Sequence, residues 1–438
     1  MKKINIHSFL SLAIVISIFA ASSVFAQDDS SSKSKGGSFY SLFGLGFPTD
    51  NNTARELGLG IPGVSLDNSQ SNSLYNPALW GKNVLTTTSS GFLFSKFNSS
   101  DNNTANENSS LQANYLQLTL PIYREKFGIS ASLYPVTRSN YQFTNTTNTI
   151  VTPEDDTINY RTETTGSGGV NKLEIGFGWT INKNFAFGYA PSLAFVSQKT
   201  INNAFFDRID YGNTTISNKI TGSSFSHRFG ALLSFQNIIS SDDRITIGSS
   251  FILPVEISVD EKIVSTKQVN GRDREVTLNE QSGLGAKLPA EWTGGVTYYP
   301  SNLFNISLEG KLQTWSEAES SINSNTQSLE LSDRTKLGLG AEYHPYKTNS
   351  TSFLSNFRYS GGVSFDSGHL SFQGDDINTL WFSAGLGIIS PFSNSTIDIS
   401  AQYGLRGTTS NNLVREKIWA LNLSVNLTEL MFFRPKLN

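Results

Sequence analysis

The chain has 438 residues, a formal net charge of −3, 30 Phe, 15 Tyr and 6 Trp, and no cysteine. The missing cysteine excludes a disulfide framework and a thiol-linked lipid anchor, and the mild acidity offers nothing to nucleic acid. Only 16% of residues are charged, and Asn, Ser, Thr and Gly fill much of the rest, which suits strands joined by polar loops.

The first 26 residues read as a secretory signal peptide. Lys2 and Lys3 form a positive head, an apolar stretch runs from Phe9 to Val24, and Val24-Phe25-Ala26 ends in a cleavable small residue. Removing it takes the two lysines and moves the net charge to −5. No later run of 18 apolar residues follows, so no helical membrane span is expected. Residues 27–37 (QDDSSSKSKGG) read as a flexible leader, and residues 38–84 form a Gly-rich stretch without periodicity.

From residue 85 onward the chain alternates apolar and polar at period two, as strands do. The segments are 85–97, 112–122, 127–143, 168–181, 184–199, 222–237, 243–257, 284–299, 303–316, 334–345, 355–367, 379–391, 395–407 and 415–428. Between them, short turns such as YREK and INKN alternate with long polar loops such as FNSSDNNTANENSS. The pattern predicts an all-β fold: a transmembrane antiparallel up-and-down β-barrel of about 14 strands, over 85–438, in a bacterial outer membrane. Short turns would face the periplasm and long loops the outside. The segments are about 11–17 residues long, enough to span a bilayer on a tilt. A secreted β-sandwich or solenoid also alternates, but its strands usually stop near 5–6 residues.

Charged residues occupy the parity opposite the apolar stripe. Glu174, Arg228, Glu291, Glu309, Lys311, Lys336, Glu342, Arg358 and Asp398 are expected in the lumen, because a charge facing mid-bilayer costs up to about 2–4 kcal/mol. Their mixed signs favour mutual pairing over an ion-selective ring. Trp179, Tyr298 and Tyr343 near the short turns, with Trp381 and Trp419 near the long loops, are expected in interfacial girdles.

A barrel of this size is too wide for side chains alone to fill, so residues 27–84 are expected to supply a leader and a lumen plug. The stretch Gly58-Leu59-Gly60, Val64-Ser65, Asp67 and Ser73-Leu74-Tyr75-Asn76-Pro77-Ala78 resembles the plug signature of the FadL family of outer-membrane long-chain fatty-acid and hydrophobic-compound transporters. Lys287-Leu288-Pro289-Ala290-Glu291-Trp292, Trp315-Ser316 and Gly338-Leu339-Gly340-Ala341-Glu342-Tyr343-His344-Pro345 resemble later motifs of that family. The resemblance implies passive uptake of a hydrophobic small molecule by a monomer, a plug or gating role for Asn76, Pro77 and Ala78, and a lateral opening in the third strand. Pro135, in mid-strand, is the candidate for that opening, although Pro191 and Pro254 also interrupt strands. Two features differ or compete. The chain ends FFRPKLN rather than on an aromatic, and Asn-Pro-Ala plugs also occur in barrels that act as secretion carriers. A general porin and an adhesion module are the other readings. His227, His344 and His369 are scattered, so no metal, cofactor or catalytic grouping is expected.

Overall fold

The structure, a computed structural model, describes residues 36–67, 73–102, 104–151, 157–207, 212–269, 272–318, 329–345, 353–372, 374–390, 394–410 and 413–429. The expected signal peptide, the start of the leader and the tail carrying Phe432 and Phe433 lie outside the described residues.

Fourteen staves form a closed antiparallel barrel. They are β1 (Thr86–Ser100), β2 (Ala105–Tyr123), β3 (Phe127–Pro135 and Tyr141–Val151), β4 (Thr157–Thr180), β5 (Phe185–Phe206), β6 (Thr214–Gln236) and β7 (Arg244–Ile252 and Val255–Val269). There follow β8 (Arg272–Leu288 and Glu291–Ser301), β9 (Phe304–Gln313), β10 (Arg334–Tyr343), β11 (Phe357–Asp366), β12 (Thr379–Ile389), β13 (Thr396–Arg406) and β14 (Arg415–Glu429). Each pairs with its neighbours in sequence, and the ring closes where Thr86 of β1 lies opposite Glu429 of β14. Closure leaves no free edge, so backbone polar groups need not face hydrocarbon.

Alternation sorts the side chains. Along β10, Arg334, Lys336, Gly338, Gly340 and Glu342 are buried, while Leu337 and Leu339 are 55% and 49% exposed. Ile175, Leu308 and Leu421 on other staves are as exposed. A continuous apolar belt of this kind faces lipid rather than water, and the protein is a β-barrel of the bacterial outer membrane.

The staves from β2 to β8 run farther than their alternation indicates. β4, expected to start at 168, begins at Thr157, and β8, expected at 284, begins at Arg272. Most of the extra residues, such as Arg161–Thr165 (RTETT), are polar. They stand beyond an apolar band only about 25 Å tall, where nothing selects a greasy side, so no period-two signal exists to read. The staves β9 to β13 have only 10 or 11 residues, so the outer rim is high on one side.

Three staves are broken: β3 over 136–140, β7 at Leu253-Pro254 and β8 at Pro289-Ala290. Proline has no N–H to give to a ladder. In β7 both halves keep partners on each side, whereas the outer half of β8 pairs with β7 alone because β9 stops at Gln313. In β3, too, one half lacks a partner on one side. Its lower half pairs with β2 up to Leu116↔Leu133, whereas its upper half pairs with β4 alone. Residues 105–115 of β2 are therefore laddered to β1 but not to β3.

Residues 36–67 and 73–85 fill the lumen and are almost wholly buried. They contain one short helix, α1 (Ala54–Leu59). Thr53 and Glu56 form a capping box at its start, and Gly60 closes it at φ 69°. A 3-10 turn, Pro77–Lys82, follows. Wall glycines let this backbone approach: a Cβ on Gly362 would strike the carbonyl of Leu59, and one on Gly188 would strike Pro77.

Candidate functional site

The site is the plug, the charges that hold it, and the gap beside it. Asn76 is fully buried at the start of the 3-10 turn. Its side-chain oxygen accepts from the Ala78 N–H at 3.0 Å, and its amide donates to Val64 O at 2.8 Å and to Ala231 O of β6 at 3.0 Å. Pro77 supplies the first position of the turn, where a missing N–H costs nothing. Ala78 packs on Ala186 and Leu232 of the wall. The structure thus brings Asn76, Pro77 and Ala78 together as a plug-to-wall contact.

Of the charged residues expected in the lumen, Glu309 is the most heavily engaged. Its carboxylate accepts from the N–H groups of Gly63 (2.5 Å), Val64 (2.9 Å) and Ser65 (2.9 Å), and from the Ser65 hydroxyl at 2.7 Å. Glu342 takes a bidentate pair from Arg55 of α1 at 2.7 and 2.6 Å, and lies 3.3 Å from Arg358. Arg358 also reaches Asp398 at 2.6 Å. Asp50 of the plug sits among Lys311 (2.9 Å), Lys336 (2.5 Å) and Arg334 (3.4 Å). Burial alone would raise its carboxyl, but these three cations outweigh that and hold it well below the usual range. Asp67 receives Lys82 at 2.8 Å and Arg244 at 3.1 Å. Arg228 lies 3.3 Å from Glu174, donates to the Tyr134 hydroxyl at 2.6 Å and bonds the carbonyl of Leu74.

Pairing within the wall therefore describes Arg228 with Glu174 and Arg358 with Asp398, whereas Glu309, Lys311, Lys336 and Glu342 reach the plug. Asp50 and Arg55 carry no periodicity that would have marked them, whereas Asp67 belongs to the plug motif. Arg334 went unremarked because it opens a stave.

Pro135 ends the lower half of β3. In the break beyond it, Thr137 and Arg138 pair with plug residues Pro48 and Phe47. Arg138 reaches across the unladdered stretch to β2: it bonds Gln112, and it donates to Ala113 O at 2.7 Å and Asn114 Oδ1 at 3.3 Å. Gly37 also spans the gap, donating to Asn140 O at 2.9 Å and accepting from Asn108 at 3.3 Å. Beside these residues lies a cavity of about 160 Å³, with Phe47, Leu57, Leu93, Trp381, Ile418 and Ala420 among its lining. Trp381 is a correction to the girdle expectation. Its neighbours Leu380 and Phe382 face out at 40% and 47% exposure, which turns Trp381 inward over Gly404. Trp179, Tyr343 and Trp419 do face out, at 45%, 48% and 54%.

Solved structures share this architecture. The CymD monoaromatic hydrocarbon channel matches with a TM-score of 0.52 at 13% identity, over 89% of this chain and 99% of its own. A Pseudomonas aeruginosa FadL homologue matches at 0.54 and 11%, over 87% and 99%. The Pseudomonas putida toluene transporter TodX matches at 0.52 and 13%, over 87% and 98%. At such identities the likeness is one of fold: the chain has the FadL-type outer-membrane channel fold. No curated protein matches its sequence. A family profile, however, spans residues 6–438, and by it this FadL-like barrel belongs to the BamG family.

Proposed function

We propose that the protein is a passive outer-membrane channel for small hydrophobic compounds. The observation that carries this reading is a cavity with a mainly apolar surface lying beside the gap in the ladder between β2 and β3. A cavity of about 150 Å³ lined by apolar side chains accommodates benzene, so the seated state has room for one aromatic ring, not for a long acyl chain. That size agrees with CymD, a monoaromatic hydrocarbon channel, and TodX, a toluene transporter. In this reading the ligand enters among the outer loops, rests against Leu93 and Trp381, and leaves when the plug shifts. Pro135 marks a sideways exit into the bilayer, and Asn76, Pro77 and Ala78 form the contact about which the plug moves. A plugged lumen argues against a general porin.

The test is toluene uptake into liposomes carrying the wild type or Ala420→Trp, which fills the cavity from a buried wall position. Uptake should fall at least about tenfold. Equal rates, with heat-modifiable barrel mobility retained, would remove the channel reading. One observation favours a second reading, an interaction protein such as a secretion carrier: the number of buried ion pairs fixing the plug. That reading expects a protein that co-purifies with the barrel and no uptake.

A further inference from the structure

The short-turn end of the barrel holds a second cavity, of about 730 Å³, floored by the plug and rimmed by the periplasmic turns. Six cations line it: Arg55 and Lys82 from the plug, Lys126 and Lys183 from two turns, and Arg244 and Arg358 from the wall. Three acids oppose them, Asp67, Glu125 and Glu342, so the vestibule carries an excess of three positive charges in a chain that is acidic overall. Lys126 and Lys183 are exposed and pair with no acid among the described residues. Arg55 is only 6% exposed, and its Nη1 has no hydrogen-bond partner. A buried guanidinium nitrogen left unsatisfied costs more than an exposed one, so this end of the plug holds more cationic hydrogen-bonding capacity than its own acids use.

We propose that this vestibule binds an acidic polypeptide segment of a periplasmic partner, whatever the barrel conducts. The cations are spread over plug, turns and wall rather than converging on one point, and the volume far exceeds a single oxyanion, so an extended chain with several carboxylates fits. Lipid headgroups are excluded by position, because the vestibule opens inside the ring of staves. The bound segment competes with Glu342 for Arg55 and Arg358, and with Asp67 for Lys82 and Arg244. Two of those pairs, Arg55 with Glu342 and Arg244 with Asp67, join plug to wall, so occupancy loosens the plug from the periplasmic side.

The experiment titrates the detergent-solubilised full chain into dye-labelled hexaglutamate and reads fluorescence polarisation at low salt. Saturable binding is expected, at least tenfold tighter than to hexaglutamine. The double variant Lys126→Glu/Lys183→Glu should weaken it at least tenfold, and added salt should weaken it too. Both lysines lie on exposed turns, so the barrel still folds, and Lys262→Glu on the outer half of β7 serves as a control that leaves binding unchanged. Equal binding of hexaglutamine, full affinity in the double variant, or displacement by equimolar inorganic phosphate would overturn the proposal.

Discussion

Glu309→Ala tests whether the plug is seated by wall charges. The substitution leaves the N–H groups of Gly63, Val64 and Ser65 without their acceptor, while the Ser65 hydroxyl keeps Thr297 at 2.8 Å. Each buried donor left unsatisfied costs about 1–3 kcal/mol, so seating loses about 3–9 kcal/mol. At about 1.4 kcal/mol per factor of ten, the unseated fraction rises at least roughly a hundredfold. The wall is spared, because β9 keeps its backbone ladders to β8 and β10. In planar bilayers the variant should show ion conductance that the wild type lacks, and Glu309→Gln, which retains one acceptor oxygen, should fall between them. A variant as silent as the wild type, with its barrel intact by heat-modifiable mobility, would refute the claim that this carboxylate holds the plug in place.

Asp50→Asn leaves Lys311 and Lys336 around a neutral side chain, while Arg334 keeps Asp366 at 2.5 Å. Removing one partner of a buried ion group costs about 3–5 kcal/mol, so trypsin should cut at Arg55 in the variant and not in the wild type. Glu56 gives a pH signature: burial pushes its carboxyl up to about 8 from 4.5. A carboxyl raised on folding binds its proton more tightly in the folded state, so its contribution to stability is full below about pH 4.5 and is lost as pH rises through 8. Glu56→Gln keeps the acceptor for the Thr53 N–H and should flatten that decline in guanidinium midpoints measured at pH 4.5 and 8.5. Equal slopes in both proteins would refute it. Finally, a short bismaleimide joining Gln112→Cys to Arg138→Cys, in a chain with no other cysteine, should stop toluene uptake if ligand leaves between β2 and β3. Undiminished uptake places the exit elsewhere.

The barrel was legible because lipid enforces a period. Leu337 and Leu339, or Ile397 and Ile399, must face acyl chains, so their spacing survives in the sequence whatever the fold does elsewhere. Where that solvent stops, legibility stops too: the outer extensions of β4 and β8 are mostly polar and read as loop. Charges on the lumen parity were visible for the same reason, since Lys311 and Lys336 had nowhere else to go. Their partners were not. Asp50 and Arg55 sit on a chain folded by tertiary contacts, with one six-residue helix and no sustained repeat. Trp381 was misplaced because an aromatic near a stave end was weighed by depth, when parity with Leu380 and Phe382 already turned it inward. The gap beside β3 needed more than Pro135, because Pro254 breaks a stave without opening the ladder.

The means by which the plug is held bears on whether it can move. An apolar plug would match the wall by burying greasy surface, and on leaving it would expose that surface to the periplasm. This one buries Leu59, Leu66, Leu74 and Trp80, but it also presents Asp50, Arg55, Asp67 and Asn76 to wall side chains and backbone, and those groups can be rehydrated on release. Buried ion pairs are also poor sources of net stability, because desolvating the charges offsets most of their attraction, yet breaking one while its partner stays buried is strongly unfavourable. Both facts favour two discrete states over gradual loosening: all the pairs made with the plug seated, or all of them hydrated with it displaced. Glu309 sharpens the contrast, because three backbone donors converge on one carboxylate and cannot be satisfied by a partial shift. Raising ionic strength should therefore release the plug as a unit, with trypsin cleavage after Lys82 and after Arg55 appearing together, and cleavage after Lys82 at clearly lower salt than after Arg55 would show the clamp to loosen in steps.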